Sequence, residues 1–235
     1  MWIQDYLDQA SSYAADIDTL FIVITWIVGI WFVAVEGIFF YFMVKFREKE
    51  GVKALYMTGT TKKEKAWITW PHVLVLICDV VLIVGAVRIW VMIKQQLPEP
   101  DAVVRITAQQ WAWTFQHPGP DSQLDTEDDI TLVDELHLEV DKTYHYQLEA
   151  RDVLHALSIP AFRLRQDAIP GRRIMGWFTP TIAGDYDLQC AEMCGIGHGL
   201  MPATVFVEGP EEHAAFHAEY APSVAVNTGD AAGME

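Results

Sequence analysis

Two long apolar runs, Thr19 to Val44 and Trp67 to Ile93, constrain this chain more than any other feature. Each exceeds the roughly 20 residues that a helix needs to cross the hydrocarbon core of a bilayer. In lipid every backbone N–H and C=O must be satisfied within the segment or by a closed barrel, so two isolated runs of this length predict a transmembrane helical hairpin. The first run lacks the basic front end and small-residue cleavage site of a removed secretory leader, which predicts an uncleaved anchor. Glu36, Asp79 and Arg88 lie inside the runs. Such groups are costly against lipid and are expected to face a protein partner.

Basic residues orient the hairpin. The connection over residues 45–66 holds Lys45, Arg47, Lys49, Lys53, Lys62, Lys63 and Lys65, whereas the first 18 residues hold no Lys or Arg. The positive-inside bias makes the connection cytoplasmic and puts residues 1–18 and everything from 94 onward on the opposite face. In a bacterium this is a chain of the inner (cell) membrane with its large C-terminal portion in the periplasm or outside. That portion is acidic: residues 95–235 carry 7 Lys and Arg against 23 Asp and Glu. Such a surface excludes nucleic acid as a partner and steers basic proteins toward itself, although the same balance also serves solubility or a salty habitat.

Within residues 94–220 short runs rich in β-branched and aromatic residues predict strands at 103–110, 130–140, 143–150, 173–179 and 204–207. His117-Pro-Gly-Pro120, Ile169-Pro-Gly171, Ala183-Gly-Asp185 and Glu208-Gly-Pro210 separate them as turn clusters. The expectation is a membrane-anchored all-β protein whose strands pack as a sandwich. The segment 221–235 is small, polar and glycine-containing, and is expected to be disordered.

Between Cys190 and Met201 the chain reads Cys190-Ala-Glu-Met-Cys194-Gly-Ile-Gly-His198-Gly-Leu-Met201. Thiolate, thioether and imidazole suit copper, whereas calcium and magnesium take oxygen donors and structural zinc rarely takes methionine. A lone disulfide is the competing reading in an oxidising compartment, with Cys78 left over inside the second apolar run. A disulfide would explain neither His198 nor Met201, nor His155 in Asp152-Val-Leu-His155. Two distant positions meet readily at one end of a sandwich, which is how His155 could join the loop.

These residues together resemble subunit II of the haem-copper oxidases. The resemblance rests on the two-helix hairpin, Gln110-Trp-Ala-Trp113, Asp152-Val-Leu-His155, Gln166-Asp-Ala-Ile-Pro-Gly-Arg172 and the Cys-x3-Cys-x3-His-x2-Met loop. It implies a cupredoxin-like Greek-key sandwich holding dinuclear copper A. The sulfurs of Cys190 and Cys194 would bridge, His155 and His198 would cap, Met201 would be a weak ligand and the carbonyl of Glu192 would complete the site. It further implies a magnesium ion held through the Glu192 carboxylate at the boundary with the catalytic subunit, where a solvated loop glutamate is the alternative. Trp111 aligns with the tryptophan through which an electron enters, while Trp113 reads as core. Asp152 and Asp167 are docking carboxylates for a basic cytochrome c or plain turn residues. Glu64 matches the cytoplasmic mouth of a proton-uptake route, or is a helix-start carboxylate at the positive end of the helix dipole.

The implied function is the electron-input subunit of a terminal oxidase, taking electrons from cytochrome c and passing them to haem in a catalytic subunit I that reduces oxygen to water. As such the chain is part of an oxidoreductase and is not catalytic alone. The alternatives are the copper A subunit of a nitric oxide reductase and a membrane-tethered copper carrier. A carrier needs exchangeable coordination, which six donors around two ions do not provide. No Cys-x2-Cys-His occurs, so the donor is a separate protein. Arg151 stands where the family often has an acidic residue, and Asp121 to Asp129 form an acidic, turn-rich insertion.

Overall fold

The computed structural model describes residues 7–53 and 56–220. The tail over 221–235, expected to be disordered, lies outside the described residues. The chain divides into a helical unit, Asp16–Val91, and a β unit built from the described residues up to 15 and from 92 onward.

The helical unit contains α1 (Ala14–Lys45) and α2 (Lys62–Lys94), which extend beyond the apolar runs at both ends. At the start of α2 the cause is a reciprocal cap. The Thr61 hydroxyl accepts the Glu64 N–H at 3.3 Å, and the Glu64 carboxylate accepts the Thr61 N–H at 3.0 Å. This capping box satisfies two orphan donors and recruits the polar residues ahead of the apolar run into the helix. Within the unit the Trp31 indole N–H donates to Cys78 Sγ at 3.5 Å. Both helices are long and apolar enough to cross a membrane and neither buries its apolar stretch within the chain. Surface of that extent requires lipid or protein cover, so the protein is membrane-anchored. Asp79 and Arg88 are exposed on it.

In the β unit ten strands form two sheets: β1 (Ala102–Gln109), β2 (Ala112–His117), β3 (Ile130–Val133), β4 (Glu135–Glu139), β5 (Tyr144–Ala150), β6 (His155–Ile159), β7 (Leu164–Ala168), β8 (Ile174–Phe178), β9 (Gly184–Cys190) and β10 (Pro202–Glu208). The first sheet runs β3-β2-β1-β5-β8 and the second β4-β10-β9-β6-β7. β1 with β5, and β10 with β4, are parallel, and the other pairs are antiparallel. Alternation places Trp113 and Phe115 of β2, Tyr146 and Leu148 of β5, Leu136 and Leu138 of β4, and Val205 of β10 in the core. Burial of each large side chain contributes about 1.5–3 kcal/mol, which holds the sheets face to face.

The expected strand over 130–140 is two strands in different sheets. Asp134 breaks it with φ 59°. Its carboxylate accepts the Trp113 N–H at 2.8 Å from one sheet, and its carbonyl accepts the Thr204 N–H at 2.9 Å from the other. An Asp tolerates the left-handed region because its short polar side chain satisfies nearby backbone. Strands β2, β6, β7 and β9 were not anticipated. β7 and β9 each expose much of their length, so their sequences read polar. The helix α3 (Pro210–Tyr220) was also not anticipated, although Pro210 opens it and Glu211 and Glu212 occupy its first turn.

The segment before α1 belongs to the β unit. Ala10 N–H donates to the Ala161 carbonyl, Thr181 N–H to that of Ala10 and Ser12 N–H to that of Thr179, each at 3.0 Å. Tyr13 is buried and meets Trp177 edge-on at 5.2 Å.

Gly176 of β8 lies opposite Tyr146 of β5, and a Cβ on Gly176 would collide with the Tyr146 ring. Gly176→Ala is expected to destabilise the β unit by about 1–3 kcal/mol through overpacking. Denaturant unfolding followed by tryptophan fluorescence reads the change, and Gly209→Ala, with no atom near its added methyl, is the control expected to remain close to wild type.

Candidate metal centre

Strands β6 and β9 are neighbours in the second sheet, with Leu157 opposite Cys190. His155 therefore enters β6 beside the point where β9 ends. The chain then loops through 191–201 and returns as β10, whose Pro202 pairs with Gln189. The loop is thus clamped at its base by a ladder, and Ala191 N–H adds a hydrogen bond to the Ala156 carbonyl at 2.9 Å. Gly195 takes φ 125°, a region that L side chains rarely adopt, so a glycine is needed there.

The donors converge inside this clamp. Cys190 and Cys194 are buried free thiols with Sγ atoms 3.8 Å apart. His155 Nδ1 lies 3.9 Å from Cys190 Sγ, His198 Nδ1 lies 3.6 Å from Cys194 Sγ, and the Glu192 carbonyl lies 3.3 Å from Cys190 Sγ. The ligand atoms of His155, Cys190 and Cys194 all fall within 4.8 Å of one another. Met201 is buried at the end of the loop, where its carbonyl accepts the Trp113 indole N–H at 3.3 Å. Burial, together with the adjacent Cys190 thiol, pushes the Cys194 thiol up to about 11. Two sulfurs, two imidazoles, a thioether and a carbonyl form a soft donor set that fits copper and excludes the hard oxygen-seeking cations.

A second layer holds the first. The Asp152 carboxylate accepts the Gln110 N–H and the Val153 N–H at 2.7 Å each and lies 2.9 Å from His155 Nε2. With Nε2–H donating to Asp152, the lone pair of Nδ1 is directed to the thiol side, the usual arrangement behind a metal-bound histidine. Partial burial opposes ionisation of Asp152, but these hydrogen bonds prevail and hold its carboxyl below the usual range. The Gln110 side-chain amide donates to the Cys194 carbonyl at 2.8 Å, and Arg165 donates to the Ala191 carbonyl at 2.9 Å. The Trp111 ring lies on the loop: a Cβ on Gly197 would collide with it, and one on Gly195 would approach it at 3.3 Å.

The other expected residues fall as follows. Trp111 is 38% exposed beside the loop, while Trp113 is fully buried. Glu192 keeps a half-exposed carboxylate 3.8 Å from Arg165. Asp167 is exposed on the edge strand β7, opposite Ala156. Glu64 lies in the helical unit, engaged in the cap of α2. Sequence reasoning missed the positioning roles of Asp152, Gln110 and Arg165. The proximity of Asp152 to His155, three residues on, was the one signal available for any of them.

Fold and site together define a membrane-anchored, cupredoxin-like domain with a two-thiol, two-imidazole centre at one end of its sandwich. A family model described as cytochrome c oxidase subunit II, periplasmic domain, matches residues 102–208. Cytochrome c oxidase subunit 2 of Cereibacter sphaeroides is 31% identical over 207 residues, covering 75% of this chain and 66% of that protein. The alternative cytochrome c oxidase subunit 2 of Bradyrhizobium diazoefficiens is 30% identical over 213 residues, covering 81% and 75%. The crystal structure of the periplasmic domain of subunit II of cytochrome oxidase from Bradyrhizobium japonicum is 27% identical, with TM-score 0.48, over 53% of this chain and 96% of that one. The chain belongs to the cytochrome c oxidase subunit II family.

Asp152→Asn removes the anionic acceptor behind His155 and is expected to lower copper affinity on the order of 10- to 100-fold, read by chelator competition, with circular dichroism unchanged. Since the Cys194 thiol holds its proton at neutral pH, ligation must displace it. Apparent affinity is expected to fall about tenfold per pH unit for that proton as pH is lowered, which a chelator series across pH measures.

Proposed function

We propose that this chain is the electron-input subunit of a haem-copper terminal oxidase, accepting electrons from a separate basic cytochrome c and delivering them to haem in a catalytic subunit that reduces oxygen. The observation that carries the reading is the pair of buried, unlinked thiols 3.8 Å apart, each with an imidazole beside it. Cys190 and Cys194 would hold a copper pair with His155, His198, Met201 and the Glu192 carbonyl. A dinuclear copper A centre supplies one-electron storage in which the odd electron is shared between two metals, so little rearrangement accompanies its arrival and departure.

The protein's own residues provide the rest. The β6–β9 ladder, Asp152 and Gln110 keep the ligand cage stiff, which limits movement between oxidation states. Burial of both thiols keeps water out of the centre. Trp111, part exposed and part packed on the loop backbone, offers a short contact from the surface to the ligand loop. Asp167, in an acidic exterior domain, would help steer a basic donor by long-range attraction. The Glu192 carboxylate, half-exposed and 3.8 Å from Arg165, would hold a magnesium ion at the boundary with the catalytic subunit. The hairpin would sit in a bacterial inner membrane with residues 45–66 cytoplasmic and the β unit outside, and Glu64 would stand at the cytoplasmic mouth of a proton-uptake route in the assembled complex.

Electron paramagnetic resonance of the copper-loaded chain is expected to show a multi-line signal from one electron spread over two copper nuclei. Cys190→Ser should abolish that signal, and a single readily chelated copper in the wild-type chain would exclude the reading. Trp111→Ala is expected to retain both copper ions and slow electron uptake from reduced cytochrome c in stopped flow. Equal uptake rates would remove Trp111 from the path.

A further inference from the structure

The sandwich has a second cluster of ligating side chains, at the pole away from the thiol loop. β10 starts in that loop at Pro202 and ends at Glu208, and β1 runs the other way, from Ala102 to Gln109 beside the loop. At the Glu208 pole α3 packs over the sheets and brings His213 and His217 alongside His117 of β2 and His137 of β4. Half of the chain's 8 histidines gather here, around Phe216.

Glu208 organises the cluster. It is buried, and its two carboxylate oxygens accept from Nδ1 of His137 at 2.6 Å and Nδ1 of His213 at 2.9 Å. With its Nδ1–H committed to Glu208, His213 keeps Nε2 as a lone-pair donor pointing away from that carboxylate, the arrangement that orients metal-bound histidines. His137 is stacked between Phe206 at 4.7 Å and Phe216 at 4.1 Å, which stiffens the layer beneath α3. His213 is 8% exposed and lines a cavity of about 380 Å³. His217, one turn further along α3, lines the same cavity with its ring 4.8 Å from that of His213. Two histidines at i and i+4 on one helix face are spaced to share one ion. Asp101 and Glu139 also line the cavity, with Lys142 as the one cation at its wall.

We propose that His213 and His217, which line one cavity with the Glu139 carboxylate, form a second cation site for a divalent ion of zinc-like preference, distinct from the thiol centre. The donors are imidazole nitrogen and carboxylate oxygen with no sulfur, a set that suits zinc, nickel or cupric ions and gives no advantage to cuprous copper. Burial, and His213 next to it, hold His217 below the ordinary histidine range despite the nearby Glu208 and Glu139. His217 is therefore neutral and able to ligate at pH 7. His213 is held by its bond to Glu208, and His217, which makes no hydrogen bond among the described residues, meets Phe216 edge-on at 5.2 Å and lines the cavity. A bound ion would fix the turn of α3 between its two histidines and so stabilise the β unit by mass action.

The test is zinc binding by the full-length chain in detergent, purified without a histidine tag. Cys190→Ser/Cys194→Ser serves as the host so that the thiol centre takes no zinc. The host is expected to bind one zinc ion per chain by equilibrium dialysis and to rise in Tm with zinc. Adding His217→Gln should abolish both effects while leaving the Tm in chelator unchanged. Should the double-serine host fail to fold, the same comparison in the copper-loaded wild-type chain must show one fewer zinc ion after His217→Gln. Zinc binding unaffected by His217→Gln, or no zinc bound by a folded host, overturns the proposal.

Discussion

The antiparallel pairing of β6 with β9 is the contact on which the site depends. Its register sets Leu157 opposite Cys190 and thereby puts His155, which opens β6, beside the first thiol of a loop that lies far away in sequence. A slip of one residue would turn the ladder's side chains to the opposite face and separate imidazole from sulfur. Leu157, Ile159 and Leu188 are fully buried, so the same hydrophobic burial that holds the sandwich together penalises that slip. Packing energy is in this way converted into ligand geometry.

Beyond that ladder, loop 191–201 owes its shape to contacts from outside itself. Gln110 holds the Cys194 carbonyl, Trp113 the Met201 carbonyl and Arg165 the Ala191 carbonyl. Asp152 ties His155 to the backbone of Gln110, so the β1–β2 turn and the 152–155 segment brace each other. Trp111, between two of these braces, shields the glycines of the loop while keeping part of its ring in solvent. A cage supported this way is held by contacts beyond the ligands themselves. The histidine layer at the far pole follows the same plan, with the buried Glu208 orienting imidazoles as Asp152 orients His155.

The hairpin and the ligand set were legible because both are local. An apolar run of sufficient length declares its solvent by composition, and the thiols, imidazole and thioether of the loop lie within twelve consecutive residues. Strand boundaries were less legible. The 130–140 run alternates apolar residues on either side of Asp134, where it changes sheets because that carboxylate and carbonyl find partners in both sheets. β7 and β9 read as polar because much of each faces solvent, and burial on one side alone leaves a weak signal. Asp152 reads as a surface carboxylate until its three hydrogen bonds are seen.

By itself the sequence determined that this chain is anchored by two helices, that its C-terminal portion is an acidic β domain, and that Cys190, Cys194, His198 and Met201 share one loop, since all of these follow from residues adjacent in the chain. Only the tertiary structure decided that His155 reaches that loop, that Asp152 and Gln110 are its supports, and that His213 and His217 share a cavity with Glu139. These depend on strand register and sheet packing, which arise from the burial of the whole core at once rather than from residues adjacent in the chain.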